Sequence, residues 1–288
     1  MHARSVQPSA ATSLALSLAL AGASIFSGCS SQHSLEEHVS GHATAIRDTA
    51  TLRTFRVDEP VELATSGAIG VVVESFGGDV SVRADPRVKQ TRVEVRRASN
   101  MGLGRWDESR QELDDIAWTA TLEPRETGGD TLKVAVTTQN PEAHYFRADV
   151  VIVAPALDAV AVRTRRGSVS VVENQGPVDI ETTSGDVRML TPWPMTQPIK
   201  IITSDGAIDF RVRGESRLSF DAETRGGEVR QRCLFGKWRA LGSGNDHDRM
   251  LATLNDGTNP VFLRTSDKNI RIAVVADPTN VGREIVDP

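Results

Sequence analysis

The sequence predicts an all-β fold: a β-solenoid, akin to a single-stranded β-helix, with an N-terminal antiparallel meander and at most one short helix. Three observations predict it. Apolar residues recur at alternate positions; a Thr, two turn residues and a Gly interrupt each run; and the unit returns about every 20 residues. The clearest copy is Val178-Asp179-Ile180-Glu181-Thr182-Thr183-Ser184-Gly185-Asp186-Val187-Arg188-Met189. Copies at 71–82, 160–171, 199–210 and 220–231 carry Ser75, Thr164, Thr203 and Thr224 in the Thr place and Gly78, Gly167, Gly206 and Gly227 in the Gly place. A late copy, 261–272, has Thr265 but Lys268 where Gly is expected. From Thr164 the steps to Thr182, Thr203, Thr224 and Thr265 are 18, 21, 21 and 41 residues, the last being about two periods. Each copy is then one coil of two short strands, stacked about 4.8 Å above the one before.

The elements follow in chain order. Arg4 begins a weakly basic start, and 13–26 is an unbroken run of Leu, Ala, Ser, Gly, Ile and Phe. That run is shorter than the roughly 20 apolar residues a spanning helix needs, so 1–28 reads as a signal peptide. It ends at Phe26-Ser27-Gly28-Cys29. Small residues before a cysteine resemble the lipobox of bacterial lipoproteins, which implies cleavage before Cys29 and its acylation; Phe26 departs from the aliphatic residue usual there. Ser30 resembles sorting to the outer membrane. Residues 29–50 contain hardly a large apolar side chain and read as a flexible tether. His33, His38 and His42 lie in it; Gly41 and Ser40 weaken any helix that would gather them, so no metal site is assigned.

The folded part is expected from 51 to 288. After the first copy, 87–159 does not repeat: 91–97, 116–122, 131–137 and 147–153 alternate as longer strands, 125–130 is a Gly-Gly turn, and 107–115 favours a short helix. This insert is expected to close the N-terminal end of the stack and protect its edge. In the main run, Gly at each corner supplies positive φ without a Cβ clash, and the Thr hydroxyl bonds to the turn backbone. Residues 236–259, rich in Gly, Asn and Asp, read as a loop excursion filling the missing period. The corner at Lys268 is expected to be irregular, with Asn269 taking the left-handed position, near the end of the stack.

These ordered repeats, with Asp149-Val150-Val151-Ile152-Val153-Ala154-Pro155 leading into Val160-Ala161-Val162, resemble the bacterial adhesin-like family of unknown function also called the toastrack domain. The resemblance spans about residues 61–272. It implies a β-solenoid envelope domain associated with surface adhesion or envelope-stress signalling, and it supplies no catalytic residues.

Composition narrows the chemistry. A net charge of −5 and a pI near 5.7 give no reason to expect nucleic acid as a partner. An acylated Cys29 leaves Cys233 without a disulfide partner, and Cys233 alternates with Val229 and Gln231 as a small core residue. Asp79, Asp186 and Glu228 share an outer column with Ser168, Ala207 and Asn269; Asp209 lies in another column, with Arg188 expected on one side and Arg230 on the other. Such alternation is cross-strand ion pairing rather than the paired carboxylates of glycoside hydrolysis. Gly242-Ser243-Gly244 lacks the Lys-Ser or Lys-Thr ending of a phosphate loop. Arg211 and Arg232 are expected to stack. Arg163, Arg165 and Arg166 share a corner as a solvated basic face, which an anionic glycan could also use. Trp193 and Trp238 are expected to pack on the solenoid flank, with stacking on a sugar the alternative.

The sequence thus reads as a non-enzymatic cell-envelope lipoprotein presenting a β-solenoid for adhesion or envelope assembly. The alternatives are an envelope sensing or regulatory module and, further off, a polysaccharide-acting β-helix enzyme. Expected partners are membrane lipid, through Cys29, and an envelope glycan or another envelope protein. No cofactor is expected.

Overall fold

The computed structural model of the chain describes residues 46–48, 53–102, 104–126, 128–242 and 246–280. The leader 1–28, Cys29 and the three tether histidines lie outside them.

Two facing sheets enclose one apolar core. The first wall runs Ile116–Pro124, Asp130–Thr138, Ile69–Ser75, Leu157–Arg166, Val178–Ser184, Ile199–Asp205, Asn259–Thr265, Leu218–Thr224, Arg249–Leu254, Trp238–Ala240. The second runs Ile46–Asp48, Arg53–Val57, Thr91–Ser99, Phe146–Ala154, Val80–Ala84, Val169–Val172, Val187–Leu190, Ile208–Arg213, Ile270–Val275, Val229–Cys233, with Val61–Leu63 also pairing with Thr91–Ser99. Every coil therefore gives one strand to each wall. In spatial order the coils are coil 1 (130–154), coil 2 (69–84), coil 3 (157–172), coil 4 (178–190), coil 5 (199–213), coil 6 (259–275) and coil 7 (218–233). The fold is the predicted β-solenoid, and neighbouring coils pair in parallel.

Alternation sets the core. Val162, Ile180, Ile201 and Leu263 form one fully buried inward column, and Val171, Met189, Phe210 and Ile272 face them from the other wall. Phe210 and Phe220 meet edge to face across the interior, ring centroids 6.0 Å apart. The Thr residues align as foreseen, Thr164 against Thr182, Thr182 against Thr203, and Thr224 against Thr265.

Three expectations need correction. First, 130–154 is a coil and not part of a meander: Val71 pairs with Leu132 and Val80 with Val150, both in parallel. Its corner, from Val136 to Ala148, is long and holds a 3-10 turn, Ala143–Tyr145, so the compact Thr-x-x-Gly signature is missing. The antiparallel cap is smaller, made of Ile116–Pro124 on the first wall and Thr91–Ser99, Arg53–Val57 and Ile46–Asp48 on the second. Among the described residues the sheet thus begins at Ile46, inside the segment expected to be tether. Second, the late copy does not follow coil 7; it slides between coils 5 and 7, pairing Ile199 with Val261 and Phe220 with Val261. Third, the loop-rich excursion fills no period. Its strands Trp238–Ala240 and Arg249–Leu254 run antiparallel and cover the outer edge of Leu218–Thr224. Trp238 lies against Phe220, ring centroids 5.0 Å apart, which completes the flank packing expected of it.

The short helix appears as Trp106–Glu112 followed by the 3-10 turn Leu113–Asp115. It is fastened to the cap by Arg97, whose guanidinium donates to the Leu113 and Ile116 carbonyls, both at 3.2 Å. Arg97 also pairs with the buried Asp58, which accepts from Trp118 Nε1 at 2.7 Å.

Candidate functional site

The Gly corners form a ridge along one long edge of the solenoid. Gly78, Gly167 and Gly185 take φ of +124°, +120° and +141°, as a left-handed corner requires. Gly206 and Gly227 do not, so positive φ cannot explain them. Their reason is space. A Cβ on Gly206 would lie 1.9 Å from the Gly185 carbonyl oxygen, and one on Gly227 2.2 Å from that of Lys268. The column is a line of backbone-on-backbone approach. Lys268 interrupts it, and the ladder there shifts: Ser266 N donates to the Ser204 carbonyl at 3.1 Å. The corner is irregular as expected, but Asn269 does not adopt positive φ.

Beside this line, the outward column runs Asp149, Asp79, Ser168, Asp186, Ala207, Asn269, Glu228 through coils 1 to 7. Its side chains cap the next coil. Asp149 Oδ1 accepts from Asp79 N at 2.9 Å, Asp79 Oδ1 from Ser168 N at 2.8 Å, Asp186 Oδ1 from Ala207 N at 2.8 Å, and Asn269 Oδ1 from Glu228 N at 2.9 Å. Arg147 adds ion pairs to Asp149 and Asp79 at 2.7 and 3.1 Å. On the inner side, the Thr203, Thr265 and Thr224 hydroxyls donate to the carbonyls of Gly185, Gly206 and Lys268 at 3.1, 2.7 and 2.8 Å. Asp79 and Asp186 are thus structural acceptors, holding their carboxylates in the geometry of a cap.

Asp209 is equally committed, to Arg211 at 2.7 Å and Arg188 at 3.5 Å. Its neighbour on the far side is Arg271 of the inserted coil, not Arg230. The same insertion separates Arg211 from Arg232 by Ala273, so the expected stack of like charges does not form. Arg230 pairs with Glu228 at 2.9 Å.

The three corner arginines part company. Arg163 spans Asp179 and Glu181, and Arg166 donates to the carbonyls of His144 and Ala143, both at 2.7 Å, pinning the long corner of coil 1. Arg165 stays exposed. Between that long corner and coils 2 to 5 lies an open groove of about 780 Å³, lined among others by Glu74, Phe76, Thr137, Arg165, Thr183 and Ile202. Its lining is part apolar and carries both charge signs and hydroxyls. Thr137 and Arg165 were visible in the sequence as strand and corner residues, but the groove itself needs the long corner as a wall.

Cys233 is half-buried, donates Sγ–H to the Phe235 carbonyl at 3.0 Å, and has its thiol pushed up by burial. It is the opposite of an activated nucleophile. Trp193 is 45% exposed, contrary to its expected packing: Met195, two residues on, is fully buried and anchors the loop in its place. Among the described residues no cluster of His, Cys, Asp or Glu could hold a metal ion, and no helix is long and apolar enough to cross a membrane.

The model of the Toastrack DUF4097 family matches residues 69–273, more than two thirds of the chain and all seven coils up to the last strand. The chain belongs to the Toastrack DUF4097 family. Among solved structures, this Toastrack chain is similar to a proposed cell adhesion protein from Clostridium sporogenes ATCC 15579, with 10% identity, a TM-score of 0.49, and coverage of 77% of this chain and 100% of that one. It is also similar to a proposed adhesin from Bacteroides fragilis NCTC 9343, with 11% identity, a TM-score of 0.29, and coverage of 76% and 97%. Comparison with curated proteins finds no match.

Proposed function

We propose that the chain is a non-enzymatic envelope protein, anchored in the outer membrane through an acylated Cys29, whose Toastrack solenoid presents a rigid β surface for adhesion or envelope assembly. The leader 1–28 directs export, and the segment after Cys29 carries the solenoid away from the lipid. The observation that supports a binding role over catalysis is the commitment of the outward carboxylates. Asp79 and Asp186 cap neighbouring coils, and Asp209 is held between arginines. A glycoside hydrolase of the usual kind needs one carboxyl group ready to give a proton and another facing substrate or water. The groove beside Phe76 offers instead apolar side chains mixed with hydroxyl and charged groups, suited to an envelope glycan or a segment of another envelope protein.

The test has two parts. Cells fed labelled palmitate should incorporate the label into the full chain, and Cys29→Ser should abolish it. Protease added to intact cells should then remove the solenoid if it faces outward. A chain that carries no labelled lipid, or that keeps the label in Cys29→Ser, would refute the anchor. Turnover of an acidic polysaccharide that disappears in Asp186→Ala would refute the non-enzymatic reading.

A further inference from the structure

The outermost coil carries a surface that neither the corner ridge nor the groove uses. Residues 229–242 read Val-Arg-Gln-Arg-Cys-Leu-Phe-Gly-Lys-Trp-Arg-Ala-Leu-Gly, four basic residues and no acidic one, in a chain whose net charge is −5. Leu234 and Phe235 sit in their midst and are 51% and 50% exposed. They are held in position: Leu234 N donates to the Val274 carbonyl at 2.9 Å, and Lys237 N to Asn255 Oδ1 at 2.8 Å. Asn255 Nδ2 in turn donates to the carbonyls of Gly214 and Ser216, at 2.6 and 2.8 Å. The stitching continues to the Trp193 loop, where Met195 N donates to Ser216 Oγ at 2.9 Å and Arg217 N to the Met195 carbonyl at 3.0 Å. Three of the five exposed large apolar side chains among the described residues, Trp193, Leu234 and Phe235, therefore lie on one fixed edge. Glu228 pairs with Arg230 and Asp256 with Arg239. Arg217 and Lys237 face no acidic partner among the described residues.

We infer that this edge docks on an anionic lipid surface, with Leu234 and Phe235 entering the headgroup boundary and the surrounding Arg and Lys side chains reaching lipid phosphates. The chemistry is that of a peripheral membrane contact: apolar tips, an interfacial Trp, and long basic side chains whose stems lie along apolar surface while their charge meets the headgroups. A second copy of the chain fits worse. Pairing strand Val229–Cys233 with its own twofold copy places Arg230 opposite Arg232, and like charges directly opposite destabilise a strand pair. The docking does not depend on the acyl anchor proposed at Cys29, so its readout must be local.

The full chain is reconstituted into vesicles of phosphatidylcholine alone and of phosphatidylcholine with phosphatidylglycerol, and backbone hydrogen exchange is followed by mass spectrometry. Exchange across 229–240 should slow by roughly tenfold or more only in the anionic vesicles, and the slowing should fade at high salt. It should be lost in Leu234→Ser/Phe235→Ser and in Arg217→Glu/Lys237→Glu, while exchange in strand Ile199–Asp205 stays unchanged and reports an intact stack. Arg217→Gln/Lys237→Gln should lose less than the charge reversal. Equal exchange in the two vesicle types overturns the inference. So does slowing that appears without vesicles and grows with protein concentration, which would mean a second copy covers the edge.

Discussion

Gly206→Ala isolates the closeness of the coils from backbone strain, because Gly206 does not lie in the left-handed region. The added Cβ would stand 1.9 Å from the Gly185 carbonyl oxygen and 2.8 Å from Thr203 Oγ1, where ordinary contact begins near 3.4 Å. Coils 4 and 5 must part locally by about 1.5 Å, which breaks close packing. The bonds at risk are Gly185 N to the Asp205 carbonyl at 2.9 Å and Val187 N to the Ala207 carbonyl at 2.8 Å. Two backbone hydrogen bonds at about 1 kcal/mol each, added to an overpacking cost of about 1–3 kcal/mol, give roughly 3–5 kcal/mol. The control is Gly67→Ala. There φ is +76° and nothing lies within 4 Å, so only the left-handed penalty of about 1–2 kcal/mol applies. Urea unfolding followed by circular dichroism measures both. If Gly206→Ala costs no more than Gly67→Ala, inter-coil contact is not why the column is glycine.

The buried pair in the cap makes a second case: Asp58→Ala leaves Arg97 and Trp118 Nε1 without their acceptor, and should cost about 3–5 kcal/mol in the same assay. Thr203→Val keeps the side-chain shape and removes the hydroxyl bond to Gly185, so about 1 kcal/mol should be lost, with strand content unchanged. Cys233 should alkylate with a pH midpoint above that of an ordinary thiol in a Cys29→Ser chain; a midpoint below it would contradict the burial. Asp85 is held at about 2 by the Arg87 side chain and then by the Arg87 N–H. Because this folded value lies below the ordinary 3.8, the stabilisation is present above about pH 4 and is lost as pH falls through about 2. Asp85→Asn should therefore flatten the pH dependence of stability in that window, and an unchanged slope would remove Asp85 as its source.

Much of the fold was legible because alternation and the Thr and Gly columns are properties of each coil by itself. Val178 to Met189 contains everything needed to say which side chains point inward and where the backbone turns. Neighbour order is different, since it depends on what the connections allow and on how the ends are covered. The 41-residue step to Thr265 fitted a skipped period as well as a coil that returns between its predecessors. Coil 1 was hidden by its long corner, although Asp149-Val150-Val151-Ile152 repeats the Asp79-Val80-Ser81-Val82 pattern that pairs with it. The glycine column was seen for the wrong reason at Gly206 and Gly227, because positive φ is a local rule and inter-coil closeness is not. The groove and the basic edge escaped notice alike. The groove is assembled from corners far apart in the chain, whereas the basic edge lies mostly within 229–242 and needs the fold to show that Leu234 and Phe235 are exposed beside it.

The returning coil also decides how the molecule bears load. Strand Ile270–Val275 lies near the chain's C-terminal end yet in the interior of its sheet, with a ladder on either side. A pull on that end cannot peel an outer strand one bond at a time; it must shear two ladders together. Strand Ile46–Asp48, at the other end, pairs with one strand among the described residues and can unzip. Tension arriving from the N-terminal side would thus spend itself on the small cap first, leaving the stack intact.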